Sequence, residues 1–269
     1  WKPYLDYVLK EQEWLKEHQE QELKEIRSKD GLTLRAVYIP RENAKGTIIC
    51  MHGYHSTNDI EFVPEVRFLW NLGYSILLPW QRSHGKSEGR YITYGVKERH
   101  DLKRWILYTN RHLAAKNKDI FLCGISMGCA TTLMAAGLDL PDNVKGIIAD
   151  CGFTSPWDII KHVAKERFYL PPFPLMYMVD LISEVVAGFG LKEVSIPEIM
   201  KRNKIPVLFI HGDADDYVPM WMTIKNYEAC AAKKELYIVS GAGHALAFSK
   251  DMEEGKRRIK NFINKYKTI

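Results

Sequence analysis

The chain has 269 residues, 46% hydrophobic and 26% charged, enough apolar material for a large core and unlike a disordered protein. Its net charge of +5 is scattered, with no dense Lys/Arg block, which argues against nucleic acid as a partner. No run reaches transmembrane length, and the five cysteines form neither a C-x-x-C pair nor a ligand-spaced Cys/His cluster, so a membrane span, a disulfide framework and a metal site are not expected. Unpaired cysteines suit a reducing compartment, and a cytoplasmic location is expected. The first residue is Trp1 rather than Met, which leaves room for an exported or membrane-anchored form whose leader was removed.

Residues 3–20 set Tyr4, Leu5, Val8, Leu9, Trp14 and Leu15 at helical spacing among Lys and Glu, an amphipathic helix. Asp30-Gly31 tolerates the positive φ of a tight turn, so Glu22 to Arg27 and Thr33 to Ile39 are expected to form an antiparallel hairpin. The short apolar run Thr47 to Met51 reads as a strand covered on both faces. His52-Gly53-Tyr54-His55-Ser56 follows at once, where Gly53 permits a sharp turn and the amide of Tyr54 can face developing negative charge. No acidic residue accompanies His52 or His55 at ligand spacing, so hydrogen bonding within the loop is expected of them.

A helix is expected over 62–72, ending at Gly73, then a strand over 74–79. The loop at 81–87 lacks the full Walker pattern of a phosphate cradle. Residues 95–116 read as one long helix with Val96, Leu102, Trp105, Ile106 and Leu113 in its stripe. A strand at 119–123 then runs into Gly124-Ile125-Ser126-Met127-Gly128, and an alanine-rich helix begins directly after it. That strand-turn-helix setting makes Gly-x-Ser-x-Gly a nucleophile elbow, with Ser126 at its tip and the amide of Met127 beside it as an oxyanion donor.

The next strand, Val144 to Asp150, ends in a carboxylate. Residues 154–204 interrupt the strand-helix alternation with aromatics, prolines and methionines, which suits a helical cap inserted in a single domain of residues 1–269. A strand at 206–210, a helix at 220–232, a strand at 235–239 and an amphipathic helix at 250–266 complete the chain. Lys256, Arg257, Arg258, Lys260, Lys265 and Lys267 read as that helix's solvated face. Alternation of this kind implies a mostly parallel sheet.

A serine hydroxyl needs a base to take its proton, and the base needs a carboxylate to orient it. His244, in the loop after the last strand, is placed to be that base, whereas His211 ends a strand and reads as structural. Asp213, Asp215 and Asp216 all follow the strand at 206–210, and Asp150 also ends a strand, so position alone leaves the acid open.

His52-Gly53, Gly124-x-Ser126-x-Gly128, His211-Gly212-x-x-Asp215-x-x-Val218-Pro219 and Gly243-His244 together resemble the α/β-hydrolase superfamily over nearly the whole chain. The resemblance is greatest to small bacterial esterase-like members related to prolyl-oligopeptidase catalytic domains. It implies an α/β-hydrolase fold with an eight-stranded, mostly parallel sheet, Asp215 as the acid, and a cap after the sixth strand at 154–204. It also implies a cofactor-free, metal-free serine hydrolase, foremost a carboxylesterase for small to medium apolar or aryl esters. Ser126 would carry the acyl group, His244 would act as base, and Tyr54 and Met127 would hold the oxyanion. A peptidase, an amidase, an acyltransferase or a non-catalytic ligand-binding protein are the rival readings. One departure concerns the loop at 80–87, where Trp80 and Ser83 replace the family's Asp and first Gly. That change puts a structural salt bridge from Arg82 in doubt.

Overall fold

Apolar runs of five to seven residues are too short for stable helices but suit strands covered on both faces, and such runs form the central strands of an eight-stranded sheet. The computed structural model describes residues 2–17, 22–57, 61–113 and 118–268. Its strands are β1 (Glu22–Arg27), β2 (Thr33–Ile39), β3 (Gly46–Met51), β4 (Ser75–Pro79), β5 (Asp119–Ile125), β6 (Val144–Asp150), β7 (Val207–Gly212) and β8 (Lys234–Val239). They lie in the order β1-β2-β4-β3-β5-β6-β7-β8. β1 pairs antiparallel with β2, and β2 antiparallel with β4, while β4 to β8 are parallel throughout. This is the α/β-hydrolase fold.

Helices cover both faces. On one side, α1 (Lys2–Glu17), α2 (Val63–Asn71) and the late helix Met252–Tyr266 enclose Trp14, Phe62, Phe121, Leu208 and Phe262. The first helix was expected to reach residue 20, and positions 18–20 lie outside the described residues. On the other side, α3 (Glu98–Tyr108), α4 (Met127–Ala135) and later helices enclose Trp105, Leu133, Ile147 and Phe209. All five cysteines are free and buried. Among the described residues no helix is long and apolar enough to cross a membrane. Four basic residues of the final helix lie in ion pairs, Lys256 with Glu253, Arg257 and Arg258 with Glu254, and Lys265 with Glu235.

The long helix expected from Gly95 starts instead at Glu98. The Glu98 carboxylate accepts the amides of Thr93 and Gly95, each at 2.9 Å, and a capped turn replaces the first helical turn. After Tyr108 the helix widens into π geometry over Thr109–Leu113, and its expected end near Lys116 lies outside the described residues.

Between β6 and β7 stand α5 (Pro156–Phe168), α6 (Leu175–Ile182) with a π extension over Ser183–Ala187, and α7 (Ile196–Met200). Met176, Phe189, Leu191, Ile196 and Met200 join the main core, so the insertion is anchored from within. Its other face stays in solvent, with Phe173 75%, Tyr169 87% and Val185 77% exposed.

Arg82 corrects the expectation for its loop. It grips Asp101 of α3 through two bonds, Nε to Oδ2 at 2.7 Å and a terminal nitrogen to Oδ1 at 2.8 Å, and it also pairs with Asp30 at 2.8 Å. The salt bridge survives because its acceptors come from the β1–β2 turn and from α3, not from position 80. Asp30 is held well below the usual carboxylate range, its bond from Arg82 outweighing partial burial. Arg82 and Asp101 side chains are both only 4% exposed, so removing the cation strands a buried charge. Arg82→Met should therefore cost about 3–5 kcal/mol of unfolding free energy by urea titration, and a loss below about 1 kcal/mol would contradict this role.

Candidate active site

β5 passes into α4 through a single residue, Ser126, at φ 54° and ψ −117°. A non-glycine residue holds such geometry only when its surroundings impose it. Here a Cβ on Gly124 would lie 2.4 Å from the Gly128 carbonyl oxygen, and one on Gly128 would lie 1.8 Å from that of Met51. The Ser126 amide donates to the Asp150 carbonyl at 2.9 Å, and its own carbonyl accepts from the Ala130 amide at 3.0 Å. The residue is 6% exposed.

His244 reaches it from the loop after β8. Its Nε2 lies 2.9 Å from Ser126 Oγ, and its Nδ1 lies 2.7 Å from Asp215 Oδ2. A carboxylate only accepts, so the proton sits on Nδ1 and the serine hydroxyl donates to Nε2. Asp215 Oδ1 accepts the amides of Tyr217 and Val218, each at 2.9 Å. Burial alone would raise this carboxyl, but bonds from His211, His244 and Val218 bring it well below the ordinary range.

The other acid candidates are otherwise engaged. Asp213 accepts the Gly241 amide at 2.6 Å, and Asp216 is an exposed partner of Arg167 at 3.4 Å. Asp150 lies close enough to feel the charge of His244, yet no bond joins them, and its Oδ1 has no partner among the described residues. Burial pushes its pKa up to about 6, against the pull of His211 and His244.

The remaining histidines of the site are structural. His211 Nε2 faces the Val218 carbonyl at 2.9 Å and Asp215 Oδ2 at 3.2 Å, bracing the acid loop. His52 donates from Nδ1 to the Gly53 carbonyl at 2.8 Å and accepts the Gln81 amide at Nε2, 3.0 Å away. His55 presents its backbone amide to His84 Nε2 at 3.2 Å. The His52 ring thus makes the loop bonding expected of it, whereas His55 joins the loop through its backbone amide.

Gly53 packs directly on the elbow, since a Cβ there would sit 3.3 Å from Ser126 Cβ. The amides of Tyr54 and Met127 have no acceptor among the described residues. Two features of the rim escaped the sequence reading. The Glu61 carboxylate accepts the Gly53 amide, with a pKa pushed up to about 7 by burial and, further, by Asp150. Tyrosines flank the serine: Tyr54 stacks on Tyr94 with ring centres 5.4 Å apart, and the Tyr217 ring lies 5.1 Å from that of His244. Neither signal was available from spacing, because both depend on loops meeting across the rim.

Among the described residues, Cys151, Asp215 and His244 offer potential metal-ligand atoms within 4.8 Å of one another. The carboxylate and ring are already bonded to each other there, and burial holds the thiol well above its usual pKa. A cleft of about 790 Å³ opens at the amino ends of β6 and β7, lined by Asp142, Lys145, Arg202 and Lys204, and contains none of the site residues above.

Residues 87–268, more than half of the chain, match the prolyl oligopeptidase family. The uncharacterized protein YqkD of Bacillus subtilis is 28% identical over 239 residues, covering 89% of this chain and 78% of that one. Among solved structures, the Pyrococcus furiosus esterase Pf2001 aligns with a TM-score of 0.74 at 26% identity, over 93% of each chain. Est1E from Butyrivibrio proteoclasticus, solved with ferulic acid bound, aligns at 0.67 with 18% identity over 90% of this chain and 98% of that one, a likeness of fold.

A carboxyl raised in the folded state adds stability that is complete below its unfolded pKa and is lost as pH climbs through the folded value. Asp150, near 3.9 when unfolded and about 6 when folded, should thus weaken the protein between pH 4 and pH 8. Relative to Asp150→Asn, the parent should lose roughly 2–3 kcal/mol across that window in urea titrations. Parallel pH profiles for the two proteins would contradict the assignment.

Proposed function

The chain belongs to the prolyl oligopeptidase family of α/β serine hydrolases, and from that premise we propose a carboxylesterase for small to medium apolar or aryl esters. The observation that carries this reading is the continuous bond path from Asp215 through His244 to Ser126, with the amides of Tyr54 and Met127 unengaged among the described residues.

In the proposed reaction, His244 Nε2 takes the hydroxyl proton as Ser126 Oγ attacks the acyl carbonyl. The amides of Tyr54 and Met127 stabilise the oxyanion, and the positive end of α4 points to the same place. Asp215 keeps the proton on Nδ1 and stabilises the imidazolium as it forms. The imidazolium then protonates the departing alkoxide, leaving an ester on Ser126. Water, deprotonated by His244 in turn, attacks that ester, and the acid leaves with Ser126 restored.

The ester preference leans on the description of Pf2001 as an esterase. The segment 154–204 serves as a cap in this reading. Arg167, at the end of α5, lies 4.8 Å over the Tyr217 ring and pairs with Asp216. Lys97 Nζ donates to the Ala187 carbonyl at 2.7 Å, tying the insertion to the turn before α3.

Initial rates across p-nitrophenyl esters from acetate to dodecanoate test the reading. Short and medium chains should be hydrolysed, Ser126→Ala should lower kcat by about 10⁴-fold or more, and Asp215→Asn by about 10³–10⁴-fold. Silence on every ester with turnover of peptide amides would favour the peptidase, and activity surviving Ser126→Ala would defeat the serine mechanism.

A further inference from the structure

Tyr94 stands at φ +52°, in the left-handed region where its Cβ crowds the following carbonyl. Gly95 follows at φ +96°. A turn alone would be better served by glycine or asparagine at position 94, so the tyrosine points to a task for its ring. The turn is held from beneath by Glu98, which is fully buried. Its carboxylate accepts the amides of Thr93 and Gly95 and the hydroxyl of Thr93, and Thr93 Oγ1 in turn accepts the Lys97 amide at 3.0 Å. A buried carboxylate is thus committed to fixing three residues of backbone.

What that backbone fixes is the Tyr94 ring, which lies nearly parallel to the Tyr54 ring at 15° and 5.4 Å. Tyr54 follows Gly53, the residue packed on Ser126, and its side chain is otherwise 39% exposed. Its other aromatic neighbour, His55, belongs to the same loop, whereas Tyr94 comes from a separate, braced element. An oxyanion donor works best when it is fixed before charge develops.

We infer that Tyr94 is a positioning residue, whose ring, set by the Glu98-braced turn, clamps Tyr54 so that the Tyr54 amide faces the oxyanion. This rests on the serine hydrolase reading above. The effect acts in the transition state, so it should appear in kcat rather than KM.

Tyr94→Gly suits the left-handed backbone and keeps the turn, and Tyr94→Asn, which also tolerates that region, serves as a second variant should the glycine protein not fold. With p-nitrophenyl butyrate, either should lower kcat about 10-fold or more with KM within about 2-fold, while thermal stability is held or rises. Tyr94→Phe keeps the ring and should restore kcat to within about 2-fold of the parent. A boronic acid that mimics the tetrahedral adduct should bind the glycine variant more weakly by the same factor as the loss in kcat/KM. Parent-like kcat in the glycine and asparagine variants, with Ser126→Ala inactive, would overturn the clamp alone. A loss confined to KM and growing with acyl length would also overturn it, making Tyr94 a pocket wall. Full activity in Ser126→Ala would instead bring down the hydrolase reading on which the clamp depends.

Discussion

Backbone packs on backbone at the elbow, where a methyl group on Gly128 would have to share space with the carbonyl oxygen of Met51. This contact draws β3, β5 and the start of α4 together more closely than side chains allow. Because Met51 ends β3, the same contact carries Gly53 and Tyr54 alongside Ser126. The left-handed conformation of Ser126 follows from it, and the bonds from Ser126 to Asp150 and Ala130 keep that conformation in place. Nucleophile, oxyanion loop and helix terminus are thus set by one steric constraint.

Electrostatics then separate the roles of similar side chains. His52 and His211 have ring nitrogens committed to backbone carbonyls. His244 differs in lying between a carboxylate and a hydroxyl, which lets it hold a proton on one nitrogen while accepting another. Beneath the elbow, Glu61, Glu65 and Asp150 are all raised by burial, and the charge of Asp150 raises Glu61 and Glu65 further. Glu65 and Asp150 both line a cavity of about 20 Å³.

Much of the fold was legible because its signals are local. The central parallel strands are short apolar runs, and the hairpin turn at Asp30-Gly31 and the glycines of the elbow state their backbone needs directly. Glu98 was not legible as a turn brace, since the residues it binds precede it and look helical in pattern. Arg82 was misjudged because its acceptors lie 19 and 52 positions away, where a motif comparison does not look. The bonding of Asp215, Asp213 and Asp216 depends on how one loop folds, and spacing could not rank them without the family pattern. Tyr94, Tyr217 and Glu61 were silent for the same reason, being joined to the site only by tertiary contact.

The central claim is that the path from Asp215 to Ser126 makes this hydroxyl a nucleophile. A fluorophosphonate probe tests it most directly, because Ser126 Oγ would bond to phosphorus as fluoride leaves, and the adduct can be mapped by mass spectrometry. A single adduct on the peptide containing Ser126, formed far more slowly in His244→Ala, is the expected result. Labelling at another residue, or labelling of Ser126 at an unchanged rate without His244, would contradict the claim.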